Sequence, residues 1–148
     1  MTVVRFNHFN VSVSDMDRSL PFWTDGLGLR LTGRGMVEYD HLDRIVGLDD
    51  TRIEWAELEL PGGGIVELFR YHNPAADSID ASVNRPGTTH FAIEVDDINA
   101  QIRQLETCGF VDERATITRI PFGDWKDWLC VYVRDADGVT IELLQRPE

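Results

Sequence analysis

Two histidines and two glutamates in this chain occupy positions from which they could serve one metal ion. His8 sits in "NHFNVSV" at 7–13 and His90 in "THFAIEV" at 89–95, near-echoes with the imidazole second in each. Glu67 lies in "IVELF" and Glu142 in "TIELL". The histidines are 82 positions apart and the glutamates 75, a mismatch that loops can absorb while the order histidine, helix, glutamate is kept. Two imidazole nitrogens and two carboxylate oxygens suit Mn, Fe, Co, Ni or Zn. Converging carboxylates would be costly to desolvate without a cation between them. Taken singly, a strand histidine is ordinarily a hydrogen-bonded structural group and a strand glutamate a solvated one. Four of them at equivalent points of a repeat are better explained by a shared site.

The elements that carry these residues follow from periodicity. Residues on one face of a strand recur at every second position. From Arg5 to Val13, His8, Asn10 and Ser12 alternate with Phe9, Val11 and Val13. Asp15 or Ser14 then caps a helix through "DRSLPFWTDGL". Extended stretches follow at "LRLTGR", "MVEYDHL", "RIEWAELEL" and, after the turn "PGGG", "IVELFRY". A polar run, 73–86, connects to a second copy of the order. There "TTHFAIEV" is a strand, and "DDINAQIRQLETCGF" is a capped helix with Ile98, Ile102 and Leu105 at helical spacing. "RATITRI", "WLCVYVRD" and "VTIELLQR" are extended. Asp15 and Asp97 each fall seven residues after their histidine. Each half therefore reads strand–helix–strand–strand–strand, module one over about 1–72 and module two over about 87–148.

Composition narrows the function. At 148 residues with 43% hydrophobic content, one domain with a sizeable core is expected. The net charge of −12, from 26 acidic and 14 basic side chains, argues against a nucleic-acid partner, which needs clustered lysine and arginine. No apolar run approaches the roughly 18 residues a membrane helix requires. The start, "MTVVRFNHFN", lacks the features of a secretory signal, and Cys108 and Cys130 are too far apart for a metal pair, so a cytoplasmic location is expected.

With "HFNVSVSDMDRSLPFWTDGLGLRL", "GGGIVELFRYHNP", "GTTHFAIEVDDINAQIRQLETCGF" and "DADGVTIELLQR" in view, the chain resembles the vicinal oxygen chelate superfamily from about Arg5 to Arg146. That group includes glyoxalase I, methylmalonyl-CoA epimerase, extradiol dioxygenases, and fosfomycin and bleomycin resistance proteins. The resemblance implies an α+β fold of two tandem βαβββ modules forming a cupped half-barrel around one divalent cation. Its ligands would be His8, Glu67, His90 and Glu142. It also implies a homodimer, with modules paired within one chain or exchanged between two.

Within the superfamily, the His–Glu–His–Glu set resembles bacterial glyoxalase I. Epimerases typically carry glutamine at the position of Glu67, and ring-cleaving dioxygenases use two histidines and one glutamate. The arginine and asparagine that usually hold glutathione fall at Ser12 and Tyr71 in this chain, which argues against glutathione dependence. Arg70 and Arg85 are the arginines left to substitute. The shared chemistry is proton transfer through an enediolate or enolate of a small hydroxy or oxo compound, stabilised by the metal. Glu142 is the first choice of base and Glu67 the second. Asn10 and Phe69 lie on the ligand-bearing faces and are candidates to line the substrate site. Phe122, Trp125 and Trp128 suit either an apolar substrate wall or packing in the core or a dimer. His41 reads as either a cavity-mouth or a surface group, and Trp23 and Trp55 as packing residues. The alternatives are a ferrous ring-cleaving dioxygenase and a small-molecule binding or resistance protein.

Overall fold

A computed structural model describes residues 2–110 and 112–148. It is α+β and divides into two compact units. The first takes in the residues up to Thr24 together with Gly28–Ser78, and the second Asp25–Leu27 together with Ile79–Glu148.

The first unit is built on strands β1 (His8–Ser12), β2 (Arg30–Val37), β3 (Arg52–Glu59) and β4 (Ile65–Asn73), in the order β1-β4-β3-β2. β1 runs parallel to β4, and the other pairs are antiparallel. One sheet face is apolar: Val11, Ala56, Leu58, Val66 and Leu68 are buried. Helix α1 (Met16–Pro21) packs against β4 and buries Met16 and Leu20. Each such side chain taken fully out of water contributes roughly 1.5–3 kcal/mol. Asp15 starts the helix by accepting a hydrogen bond from the Arg18 N–H at 3.0 Å. Pro21 has no N–H to continue the ladder, and the chain goes on as a π-helical turn over Phe22–Gly26. That turn buries Phe22 and Trp23, whose rings meet edge to face at 5.3 Å.

The expected strand "MVEYDHL" holds only to Val37. Beyond it, helix α2 (Asp40–Val46) buries Leu42 and ends at Gly47, whose φ of 72° sends its N–H back to the Asp43 carbonyl. The Asp43 carboxylate accepts from the backbone N–H groups of Asp50 and Thr51, which leads the chain into β3. The hairpin between β3 and β4 turns on Gly62, Gly63 and Gly64, all at positive φ, where side chains are disfavoured.

The second unit repeats the plan with β5 (His90–Glu94), helix α3 (Ile98–Thr107), β6 (Thr118–Arg119), β7 (Leu129–Arg134) and β8 (Thr140–Gln145), in the order β5-β8-β7-β6. β5 is parallel to β8. Asp97 caps α3 by accepting from the Ala100 N–H at 2.9 Å, and the Gln145 side chain accepts from the Ile98 N–H at 2.8 Å. Ile98 and Leu105 of α3 are buried, as are Val131, Val133, Ile141 and Leu143 of the sheet. Of the expected strand "RATITRI", only Thr118 and Arg119 pair, opposite Cys130 and Leu129. Among the described residues, no helix is long and apolar enough to cross a membrane.

Candidate metal and substrate site

Each unit brings one histidine and one glutamate together on the sheet face opposite its core. In the first, Nε2 of His8 lies 3.3 Å from Oε2 of Glu67. In the second, Nε2 of His90 lies 3.4 Å from Oε2 of Glu142. The pairs match in exposure as well: the imidazoles are 45% and 44% exposed, the carboxylates 18% and 19%. This likeness comes from strand register. In each unit the histidine-bearing strand lies parallel to the glutamate-bearing strand, and Asn10 aligns with Glu67 as Ala92 aligns with Glu142.

The donor chemistry fits a divalent cation. Asn7 Oδ1 stands 2.8 Å from Nδ1 of His8; in the tautomer where Nδ1 donates to it, Nε2 would be free to give its lone pair to a cation beside Glu67. Among the described residues, no group of three or more His, Cys, Asp or Glu side chains is placed to hold a metal by itself. Each histidine–glutamate pair by itself therefore could offer two donors.

The surroundings of the two carboxylates differ. Glu67 faces another carboxylate, since Glu57 of β3 is its cross-strand partner. Glu142 faces Tyr132, and it accepts a hydrogen bond at Oε1 from the Cys130 thiol at 3.0 Å. Burial, reinforced by Glu142, pushes the Cys130 thiol up to about 12. The Tyr132 hydroxyl is also raised, first by burial and then by Glu142 and Cys130. That hydroxyl is 3.4 Å from Nε2 of His90, and the two ring centres are 5.1 Å apart.

Sequence reading missed Cys130, Tyr132 and Glu57. It also treated Trp55 as packing only, although this residue lies opposite Phe69 on the face that carries Glu67. Its indole rests on the backbone of β2. A Cβ added at Gly33 would come within 2.9 Å of the ring, and one at Gly35 within 3.2 Å. The alternation of "RIEWAELEL" puts Trp55, Glu57 and Glu59 on one face. Counting outward from the "PGGG" turn pairs Glu57 with Glu67, and that signal was there to be read.

The remaining candidates separate. Asn10 is exposed beside Glu67, and Phe69 is half-buried two residues beyond it, its ring 6.5 Å from that of Tyr71. Phe122 and Trp125 are exposed, so neither is a core residue of this chain. Trp128 is half-buried; Trp125 meets it edge to face at 4.8 Å, and the Arg146 guanidinium stacks over it at 4.9 Å. Arg146 is held in turn by both oxygens of Glu94. His41 is exposed on α2 and stacks on Tyr39 at 4.0 Å. Both arginines considered for glutathione are engaged elsewhere, Arg70 with Asp15 at 3.2 Å and Arg85 with Asp80.

Comparison with known proteins accords with this architecture. The model of the Glyoxalase/Bleomycin resistance protein/Dioxygenase superfamily matches residues 5–143. The chain belongs to this superfamily. A lactoylglutathione lyase of Arabidopsis thaliana is 28% identical over 145 residues, covering 96% of this chain and 44% of the plant protein. The chain thus spans less than half the length of that relative. A lactoylglutathione lyase of Pseudomonas putida is 26% identical over 158 residues, covering 95% and 84% of the two chains. The crystal structure of a glyoxalase family protein from Bacillus cereus superposes with a TM-score of 0.81 at 24% identity, covering 100% of this chain and 97% of that one.

Proposed function

We propose that this chain is a divalent-metal-dependent lyase or isomerase of the glyoxalase type, acting on a small hydroxy or oxo compound without a glutathione requirement. The observation that carries the reading is the recurrence of one histidine–glutamate pair, at 3.3 and 3.4 Å, in equivalent positions of both units. His8, Glu67, His90 and Glu142 would be the ligands, with Ni, Co, Mn, Fe or Zn as the candidate ion. When bound, such an ion supplies Lewis acidity to adjacent substrate oxygens. The chain's own residues do the rest. A carboxylate, Glu142 first and Glu67 second, takes a proton from a carbon next to a carbonyl and returns it to the neighbouring atom or the opposite face. No net oxidation is involved. Asn10, Phe69, Phe122, Trp125 and Trp128 would bind and orient the substrate, and the aromatic members favour one with an apolar substituent. The names of the lactoylglutathione lyase relatives support the lyase class. Ser12 and Tyr71, at the positions where glutathione-holding groups are expected, support independence from that thiol. The working form is proposed to be a homodimer.

The test is metal analysis of the purified chain, followed by turnover of α-hydroxy ketones, acyl thioesters, and 2-oxoaldehydes with and without glutathione, carried out in deuterated water with an oxygen electrode. Bound metal with deuterium entering at carbon and no oxygen uptake supports the proposal. Iron with oxygen uptake would make the chain a ring-cleaving dioxygenase, and ligand binding without metal would make it a sequestration protein.

A further inference from the structure

The two glutamates of the repeat are not held alike. In the second unit, Cys130 of β7 pairs with Leu144 of β8, so its side chain lies on the same face as Glu142 and diagonal to it. The thiol is 3.0 Å from Oε1 of Glu142, while Oε2 of the same carboxylate is the oxygen beside Nε2 of His90. In the first unit, the position two residues past the glutamate is Phe69, and its cross-strand partner is Trp55, whose indole nitrogen lies against Gly35 of β2.

We propose that Cys130 is a positioning residue: its S–H donates to Oε1 of Glu142 and leaves Oε2 as the oxygen that faces the metal. This role rests on the metal-site reading above. A glutamate carboxylate turns about a soft terminal torsion, so an unrestrained Glu142 would present either oxygen. A thiol is a weak donor, yet a bond to an ionised acceptor is stronger than one between neutral groups. Partners of this kind orient metal-ligating side chains and typically change metal affinity by about 10–100-fold when lost. The sulfur is a holder of the ligand and not itself a ligand. His90, Glu142 and Cys130 do not form a three-member metal-holding group among the described residues.

The experiment is cobalt(II) binding to the full chain, read by equilibrium dialysis and by absorption spectroscopy, for the wild type, Cys130→Ala, Cys130→Ser and Cys130→Val. Thermal melting checks that each variant is folded. Wild type should bind cobalt without a sulfur-to-metal absorption band in the near ultraviolet. Cys130→Ala and Cys130→Val should bind about 10–100-fold more weakly, and Cys130→Ser, which keeps a donor, should return to within about threefold. Wild-type affinity in Cys130→Ala overturns the proposal. So does an equal loss in the serine variant, which would trace the effect to packing, and so does a sulfur-to-cobalt band, which would make Cys130 a ligand. If the wild type binds no cobalt, the metal-site reading itself falls and this role falls with it, an outcome told apart because the wild-type arm is read alone.

Discussion

Glu57 of β3 stands directly across from Glu67 of β4 on the face of the first sheet that carries His8. Like charges at such positions repel, and cross-strand pairs are worth roughly 0.2–1 kcal/mol. Glu57→Gln is therefore expected to stabilise the metal-free protein by about 0.5–1 kcal/mol. Urea unfolding after chelation would measure it. An unchanged or lowered midpoint would mean that the two carboxylates do not feel each other.

Trp55 predicts the behaviour of two strand glycines. Alanine replacing glycine within a strand ordinarily stabilises by roughly 0.5–1 kcal/mol. At Gly33 the new Cβ would lie 2.9 Å from the indole, so Gly33→Ala should instead destabilise, by about 1–3 kcal/mol. Adding Trp55→Leu should recover most of the loss that the alanine causes. Stability differences across this double-mutant cycle check the contact, and simple additivity would deny it.

Much of the architecture was legible in the sequence because it is written in local periodicity. The two histidine strands, their seven-residue spacing to Asp15 and Asp97, and the helices those caps begin could all be read without coordinates. Helix α2 was not: Leu42, Ile45 and Val46 sit at helical spacing, but seven residues make less than two full turns, too short a run to show a period, and of the three only Leu42 is buried. Other contacts on these sheet faces were hidden for a different reason. That Cys130 reaches Glu142, and that Trp55 lies over Gly33 and Gly35, depends on cross-strand register. In β2 and β3 that register is shifted by irregularities at Leu31/Gly33 and Arg52/Ile53. Facing partners follow from register, and one residue of slip would reverse every face.

Asp135 links stability to pH. Its Oδ1 accepts from the backbone N–H groups of Asp137 and Val139, while Oδ2 is buried without a hydrogen-bond partner among the described residues. Burial is the dominant cause and pushes its carboxyl up to about 6. The folded state thus binds this proton more tightly than the unfolded chain does. The resulting stability is fully present below the unfolded value near 3.8 and is lost as pH rises through about 6. The swing is on the order of 3 kcal/mol. Asp135→Asn should abolish it, so that the variant gains on the wild type between pH 4 and pH 6 and the gap is level above that. Unfolding midpoints across the range test this, and a gap independent of pH would refute it.

The aromatic side chains give a prediction about the substrate. Trp128 is braced by Arg146, and Trp125 leans on it. With a substrate carrying an apolar substituent, Trp128→Ala should raise KM by about tenfold, with a smaller change in kcat, since it removes binding energy and no reacting group. Arg146→Lys should produce a fraction of that effect, because lysine is a point charge without the planar fork that stacks and pairs with Glu94. A fall in kcat at unchanged KM would place this cluster outside substrate binding.

The most direct test of a single shared cation is the stoichiometry of nickel or cobalt binding to the wild type and to His8→Ala, Glu67→Gln, His90→Ala and Glu142→Gln. Four ligands serving one ion predict one metal per chain, with tight binding lost in each of the four variants. Two metals per chain, with each substitution removing only one, would contradict the account, as would wild-type chains that bind none.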